Sequence, residues 1–141
     1  RGLGDVYKRQ YLIEAMRLVN KKFNAHLLVG GDGPQRQDLD HLVSNKDLEN
    51  EVTFLGHIPW RRTNFYYTSA DIYLQPSIID KDGVTEGLGV TILEAMACGL
   101  PVIGADSPGI RELIHHGKTG WLCGTDAMSI RGAIQHLLAD P

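Results

Sequence analysis

The sequence predicts a doubly wound parallel α/β sheet, and three observations carry that prediction. Short apolar runs alternate with longer segments of helical period along the chain. The runs read as continuous apolar stretches, as expected of strands covered on both faces. Glycine, proline or serine then punctuates the passage from a run into the next helix, the connection that a strand–helix–strand architecture requires.

Taken in order, residues 11–20 place Leu12, Ala15, Met16 and Val19 at helical spacing. AHLLVGG (25–31) reads as a buried strand that closes on the turn Gly30, Gly31, Asp32, Gly33, and Pro34 suits the first position of a helix over 34–44. VTFLG (52–56) is the next strand, and Pro59 opens a helix containing Trp60, Phe65, Tyr66 and Tyr67, read as packing residues. DIYLQPS (71–77) is a strand ended by Pro76, and a polar loop leads to an apolar helix over 89–98. PVIGA (101–105) is a strand. Ser107-Pro108 combines a capping residue with a first-turn proline, opening a helix that carries Ile110, Leu113 and Ile114 inward. TGWLC (119–123) is the last strand, and 126–139 a helix with Ile130, Ala133, Ile134, Leu137 and Leu138 inward.

Composition sets bounds on function. A chain of 141 residues, 43% hydrophobic and 22% charged, is one ordinary globular domain. A formal net charge of −3 argues against a nucleic-acid surface, and no apolar run has the length of a membrane-spanning helix. Cys98 and Cys123 lack the spacing of a disulfide framework or a zinc site, which fits a reducing, cytoplasmic setting. His115 and His116 are adjacent, a poor arrangement for a metal, and read as helix C-terminal residues complementing the dipole. Residues 1–10 read as a non-native leader, 11–141 as a partial domain, and both ends look cut.

Ligands of such sheets bind beyond the carboxyl ends of the strands, which points to the loops of Gly31, Ile58, Glu86 and Asp106. The richest of these is EGLGVTILEAMACGLPVI, residues 86–103. Glu86 stands in a turn at a helix N-terminus, beside backbone amides that favour an anion. Glu94 sits in the helix among Ile92, Leu93, Ala95, Met96 and Ala97, with no Lys or Arg three or four residues away. A carboxylate in so apolar a setting is rarely buried unless something binds it. Amides for phosphate and carboxylates for hydroxyls would suit a phosphorylated sugar. A half-exposed helix glutamate and a plain glycine turn are the simpler alternative.

The whole string resembles the signature of retaining glycosyltransferases of the GT-B fold, in particular the large family 4 group. The pattern E-G-x-G-x-x-x-L-E-A-M-A-x-G-x-P-V-I is matched at Glu86, Gly87, Gly89, Leu93, Glu94, Ala95, Met96, Ala97, Gly99, Pro101, Val102 and Ile103. The resemblance implies a Rossmann-like C-terminal, donor-binding domain, truncated at both ends. It implies that Glu94 holds the ribose hydroxyls of a nucleotide and that Glu86 binds the donor sugar as the catalytic residue. Gly87, Leu88 and Gly89 would approach the sugar, the amides of Val90 and Thr91 would face the phosphates, and Ile58 would pack on the base. No cofactor and no metal are expected; a nucleotide-diphosphate sugar is the co-substrate. A sugar or lipid-linked acceptor would be bound by an N-terminal domain that this sequence lacks, with peripheral membrane association possible by family analogy. The family also supplies an Arg and a Lys just before the first helix, and Lys8 and Arg9 are out of register with them.

Other candidates are weaker. GGDGPQ (30–35) has Arg36 where a dinucleotide fingerprint needs its third glycine. Asp80 and Asp82 read as a surface loop, and Arg61 and Arg62 as solvated charges. Two rival functions stay open at this stage: a non-transferase nucleotide-sugar enzyme of the same fold, epimerase-like, and a Rossmann-type nucleotide-binding module without sugar chemistry.

Overall fold

The computed structural model describes the backbone of residues 4–76 and 89–139, and side chains from Arg9 onward within them. Strands and helices alternate as expected: α1 (Gly4–Val19), β1 (Leu27–Gly30), α2 (Arg36–Asn45), β2 (Val52–Gly56), α3 (Trp60–Ser69), β3 (Tyr73–Gln75), α4 (Val90–Ala97), β4 (Val102–Ala105), α5 (Pro108–Arg111), β5 (Trp121–Cys123) and α6 (Ala127–Ala139). The first helix runs from Gly4 rather than from residue 11, so residues 4–10 continue its backbone.

All strand pairs are parallel, but the described strands fall into two ladders, β1-β2 and β3-β4-β5. A doubly wound order places the strand that precedes the first helix between these two halves. Among the described residues no strand precedes α1, so the halves share no hydrogen bonds. They are joined instead through packing. Ile13, Met16 and Val19 of α1 belong to one apolar cluster with Leu27 and Val29 of β1, Leu39 and Val43 of α2, Ile103 of β4 and Ile130 and Ile134 of α6.

A second cluster covers the opposite face of the three-stranded ladder: Ile92 and Ala95 of α4, Val102 and Ala105 of β4, then Ile110 and Ile114. Every residue of β4 is therefore buried, as a central parallel strand requires. β1 departs from that expectation. Leu27 and Val29 are buried while Leu28 is 44% exposed, because α1 and α2 pack on one face of this half.

Helix ends also differ in detail. Pro34 precedes α2 by two residues, and Gln35 takes the cap position. Ser107 caps α5 by position, with extended backbone and its carbonyl accepting the Arg111 amide, but its hydroxyl makes no cap bond. That helix stops at Arg111, Leu113 follows in a turn and Ile114 comes just after it. His115 and His116 consequently do not end a helix. His116 instead accepts the Leu122 amide on Nδ1 at 3.0 Å and packs on Trp121, whose other neighbour is His136.

Candidate functional site: the carboxyl ends of the strands

At the end of β1, Gly31 adopts φ +96° and its amide donates to the Gly56 carbonyl at 2.8 Å, tying the tips of β1 and β2 together. Gly56 also has positive φ, +66°, conformations that a side chain would strain. Ile58 lies over this turn: its Cδ1 would come within 2.9 Å of a Cβ placed on Gly30. The GGDG turn and Ile58 thus form one surface.

The other half of the site is built on β3 and α4. Gly89 occupies the cap position of α4, and no side-chain hydrogen bond caps this end among the described residues. The first-turn amides of Val90 and Thr91 precede the intrahelical ladder, which begins with Ile92 and Leu93 donating to the Gly89 carbonyl. Val90 is 60% exposed. The Thr91 hydroxyl donates to Oε1 of Gln75 at 3.2 Å, and the Tyr73 hydroxyl donates to the same oxygen. The carboxyl end of β3 is thereby fastened to the first turn of α4.

Glu94 stands one turn further along. It is exposed, as in the simpler alternative of a helix glutamate facing solvent. The reason is helical geometry: Ile92 and Ala95 point into the core, and Glu94 lies on the outer face of the same turn. Its Oε2 accepts a hydrogen bond from the Tyr67 hydroxyl of α3 at 3.1 Å. One turn on, the Cys98 thiol donates to Oδ1 of Asn64 at 3.1 Å. Tyr67 with Glu94 and Asn64 with Cys98 show that α3 and α4 run past each other in opposite directions.

The tyrosine is held in its neutral form. Burial, first, then the neighbouring Tyr73 and the hydrogen bond and charge of Glu94 push its pKa well above 10.0. Its ring meets that of Tyr73 edge-on, centroids 5.7 Å apart. Nothing in the local sequence pointed to Tyr67 or Gln75 as site residues: their partners lie across the fold, Glu94 27 residues away and Thr91 16 residues away. The α3 aromatics expected to pack inward divide. Thr63, Tyr66, Tyr67 and Ala70, spaced for one helix face, are half-buried, whereas Trp60 and Phe65 are exposed at 78% and 63%.

Beside this group a shallow, solvent-open depression lies along the ends of β3, β4 and β5, where Gln75, Pro76, Ala105, Cys123 and Thr125 line it. Burial raises the Cys123 thiol to about 11, with Asp126 and Asp106 adding to the shift. Asp106 is paired with Arg111, whose hydrogen bonds hold its carboxyl below the usual range. Of the residues singled out by sequence, Glu86, Gly87 and Leu88 lie outside the described residues, as do Asp80 and Asp82. Val90 and Thr91 open α4 and Glu94 lies one turn further along it, and Ile58 packs on Gly30.

The family model described as glycosyl transferases group 1 matches residues 4–141. The chain belongs to this family. Among curated relatives it is 38% identical over 111 residues to an amylovoran biosynthesis glycosyltransferase of Erwinia amylovora, covering 78% of this chain and 27% of that protein. It is 37% identical over 117 residues to a GDP-mannose-dependent phosphatidylinositol monomannoside mannosyltransferase of Mycolicibacterium smegmatis, covering 82% and 31%. The chain thus spans under a third of either relative.

Among solved structures, sucrose-phosphate synthase of Thermosynechococcus elongatus superposes with a TM-score of 0.76 at 31% identity, covering 96% of this chain and 35% of that one. HepE of Anabaena, solved with UDP-glucose, gives 0.75 at 26% identity, covering 96% and 36%. The C-terminal domain of a group 1 glycosyltransferase from Francisella tularensis gives 0.77 at 23% identity, covering 96% and 71%, a likeness of fold. The group 1 chain is therefore a mixed α/β domain of the GT-B C-terminal type, and the two rival readings are not favoured.

Proposed function

We propose that this group 1 domain binds the nucleoside-diphosphate sugar donor of a retaining glycosyltransferase. Its family membership supports the class, and one feature of the fold carries the assignment of the site: an exposed carboxylate, Glu94, one turn inside a helix whose first amides meet no side-chain cap among the described residues. Amides at a helix N-terminus favour the diphosphate, and a carboxylate accepts from two vicinal ribose hydroxyls. Glu94 holds the ribose in this reading, the amides of Val90 and Thr91 face the phosphates, Gly89 permits close approach, and Ile58 borders the base. Glu86, Gly87 and Leu88 are assigned to the donor sugar by the signature alone.

In the full-length enzyme the bond between the anomeric carbon and the diphosphate oxygen breaks as the acceptor oxygen bonds to the same face. The acceptor proton leaves towards the departing phosphate. No protein nucleophile and no metal are required by this course, and stabilising the leaving diphosphate is the main contribution of the domain. The acceptor, a sugar or a lipid-linked one, is assigned to the part of the relatives' length that these residues do not span. By itself the chain is expected to transfer no sugar.

Thermal unfolding with UDP, GDP, ADP and NAD, in the wild type and Glu94→Gln, tests the reading. A nucleotide bound only by the folded state adds about 2.7 kcal/mol at a hundredfold excess over its dissociation constant. One nucleoside diphosphate should raise the midpoint of the wild type and raise that of Glu94→Gln much less. A shift with NAD alone, or equal shifts in both proteins, would overturn the assignment.

A further inference from the structure

We propose that Tyr67 is a positioning residue for the ribose of the donor: it fixes one oxygen of Glu94 so that the other is presented to the vicinal hydroxyls. The proposal rests on the reading of Glu94 above and adds to it a second residue and an orientation. A glutamate on an exposed helix face has rotamer freedom that a ligand must remove on binding. Here the Tyr67 hydroxyl already donates to Oε2 at 3.1 Å, and among the described residues no hydrogen bond occupies Oε1. A phenol is suited to the task, since it reaches far with two side-chain torsions and gives a single proton.

The tyrosine is itself braced. Its ring stands edge-on to Tyr73, the Tyr73 hydroxyl reaches Gln75, and Gln75 also takes the Thr91 hydroxyl from the first turn of α4. The brace therefore starts and ends on α4, passing through α3 and β3, and connects the turn proposed for phosphate with the carboxylate proposed for ribose. The Asn64–Cys98 bond holds the same two helices one turn away, so the separation of α3 from α4 is set at two points. Loss of the Tyr67 hydroxyl removes the hold on Glu94 while keeping the ring against Tyr73.

The experiment compares dissociation constants of wild type, Tyr67→Phe, Glu94→Gln and the double variant for UDP and GDP, and for their 2′,3′-dideoxy counterparts. Tyr67→Phe should weaken the preferred ribonucleotide about three- to tenfold, the worth of one hydrogen bond, and leave the dideoxy nucleotide unchanged. The double variant should bind like Glu94→Gln alone, since both changes act through one carboxylate. Equal weakening of both nucleotides would mark Tyr67 as merely structural and overturn the proposal. So would an unchanged Tyr67→Phe beside a Glu94→Gln that loses its ribose preference, and in that case the assignment of Glu94 stands. A Glu94→Gln that binds the ribonucleotide like wild type would overturn both.

Discussion

The two faces of the β3-β4-β5 half are held in different ways. On the α1 and α6 face, Ile13, Val19, Ile103 and Ile130 are at or below 2% exposure and pack as one cluster that also takes in β1 and α2. On the other face, α4 buries Ile92 and Ala95, but α3 buries no residue at all. It is docked largely by its half-buried tyrosines and by the Tyr67–Glu94 and Asn64–Cys98 bonds. The first face is a scaffold secured by apolar area. The second, which carries the proposed ribose contact, is secured by a few directional contacts whose loss leaves the scaffold standing.

The largest expected difference follows from that contrast. Ile13→Ala, at a fully buried position of α1, should cost about 2–5 kcal/mol of stability through lost transfer energy and the cavity left behind. Phe65→Ala on the exposed face of α3 should stay within about 0.5 kcal/mol. Urea unfolding of both variants with comparable slopes checks the pair. A Phe65→Ala as damaging as Ile13→Ala would show that α3 is packed more firmly than its exposure indicates.

The scaffold was legible in the sequence because burial imposes periodicity. Leu12, Ala15, Met16 and Val19 repeat at helical spacing, as do Ile130, Ala133 and Ile134, and all are buried. Where one element is buried on a single face, the pattern misled: LLVG reads as a strand covered on both sides, yet Leu28 is exposed. Glu94 was legible as a candidate, but the choice between a buried and a half-exposed carboxylate stayed open, because the sequence around it does not say which side of the turn meets the core. Tyr67 and Gln75 were invisible as site residues. Their hydrogen bonds depend on how α3, β3 and α4 pack, a relation no local window contains.

A smaller effect is expected at the start of α6, on the scaffold side. Asp126 accepts from the Ser129 amide at 2.9 Å and from the Ser129 hydroxyl at 2.7 Å, a side-chain cap that the first turn of this helix needs. Asp126→Ala should cost about 1 kcal/mol near neutral pH. The Ser129 bonds lower the Asp126 pKa from its ordinary 3.8. The ionised cap therefore stabilises the fold above pH 3.8, and its contribution is lost as pH falls through the lower folded value. The gap between wild type and Asp126→Ala should close in acid; a gap that persists there would mean that the cap does not depend on charge.

On the opposite face the pH dependence has the opposite sign and is confined to alkali. Tyr67 has its pKa raised above 10.0 by burial first, then by Tyr73 and by the bond to Glu94. Its neutral form is favoured in the folded chain, so its contribution is complete below pH 10.0 and is lost as pH rises from there through the raised folded value. Wild type should therefore lose stability between pH 10 and 12 more steeply than Tyr67→Phe, which has no proton to give up. Groups remote from Tyr67 titrate in both proteins and cancel in the difference, so the comparison isolates this hydroxyl together with its coupling to Tyr73. Parallel loss in the two would mean that Tyr67 is no better protected when folded than when unfolded. The contact with Glu94 would then be too weak to orient it, and the polar face would owe its geometry to the ring of Tyr67 rather than to its hydroxyl.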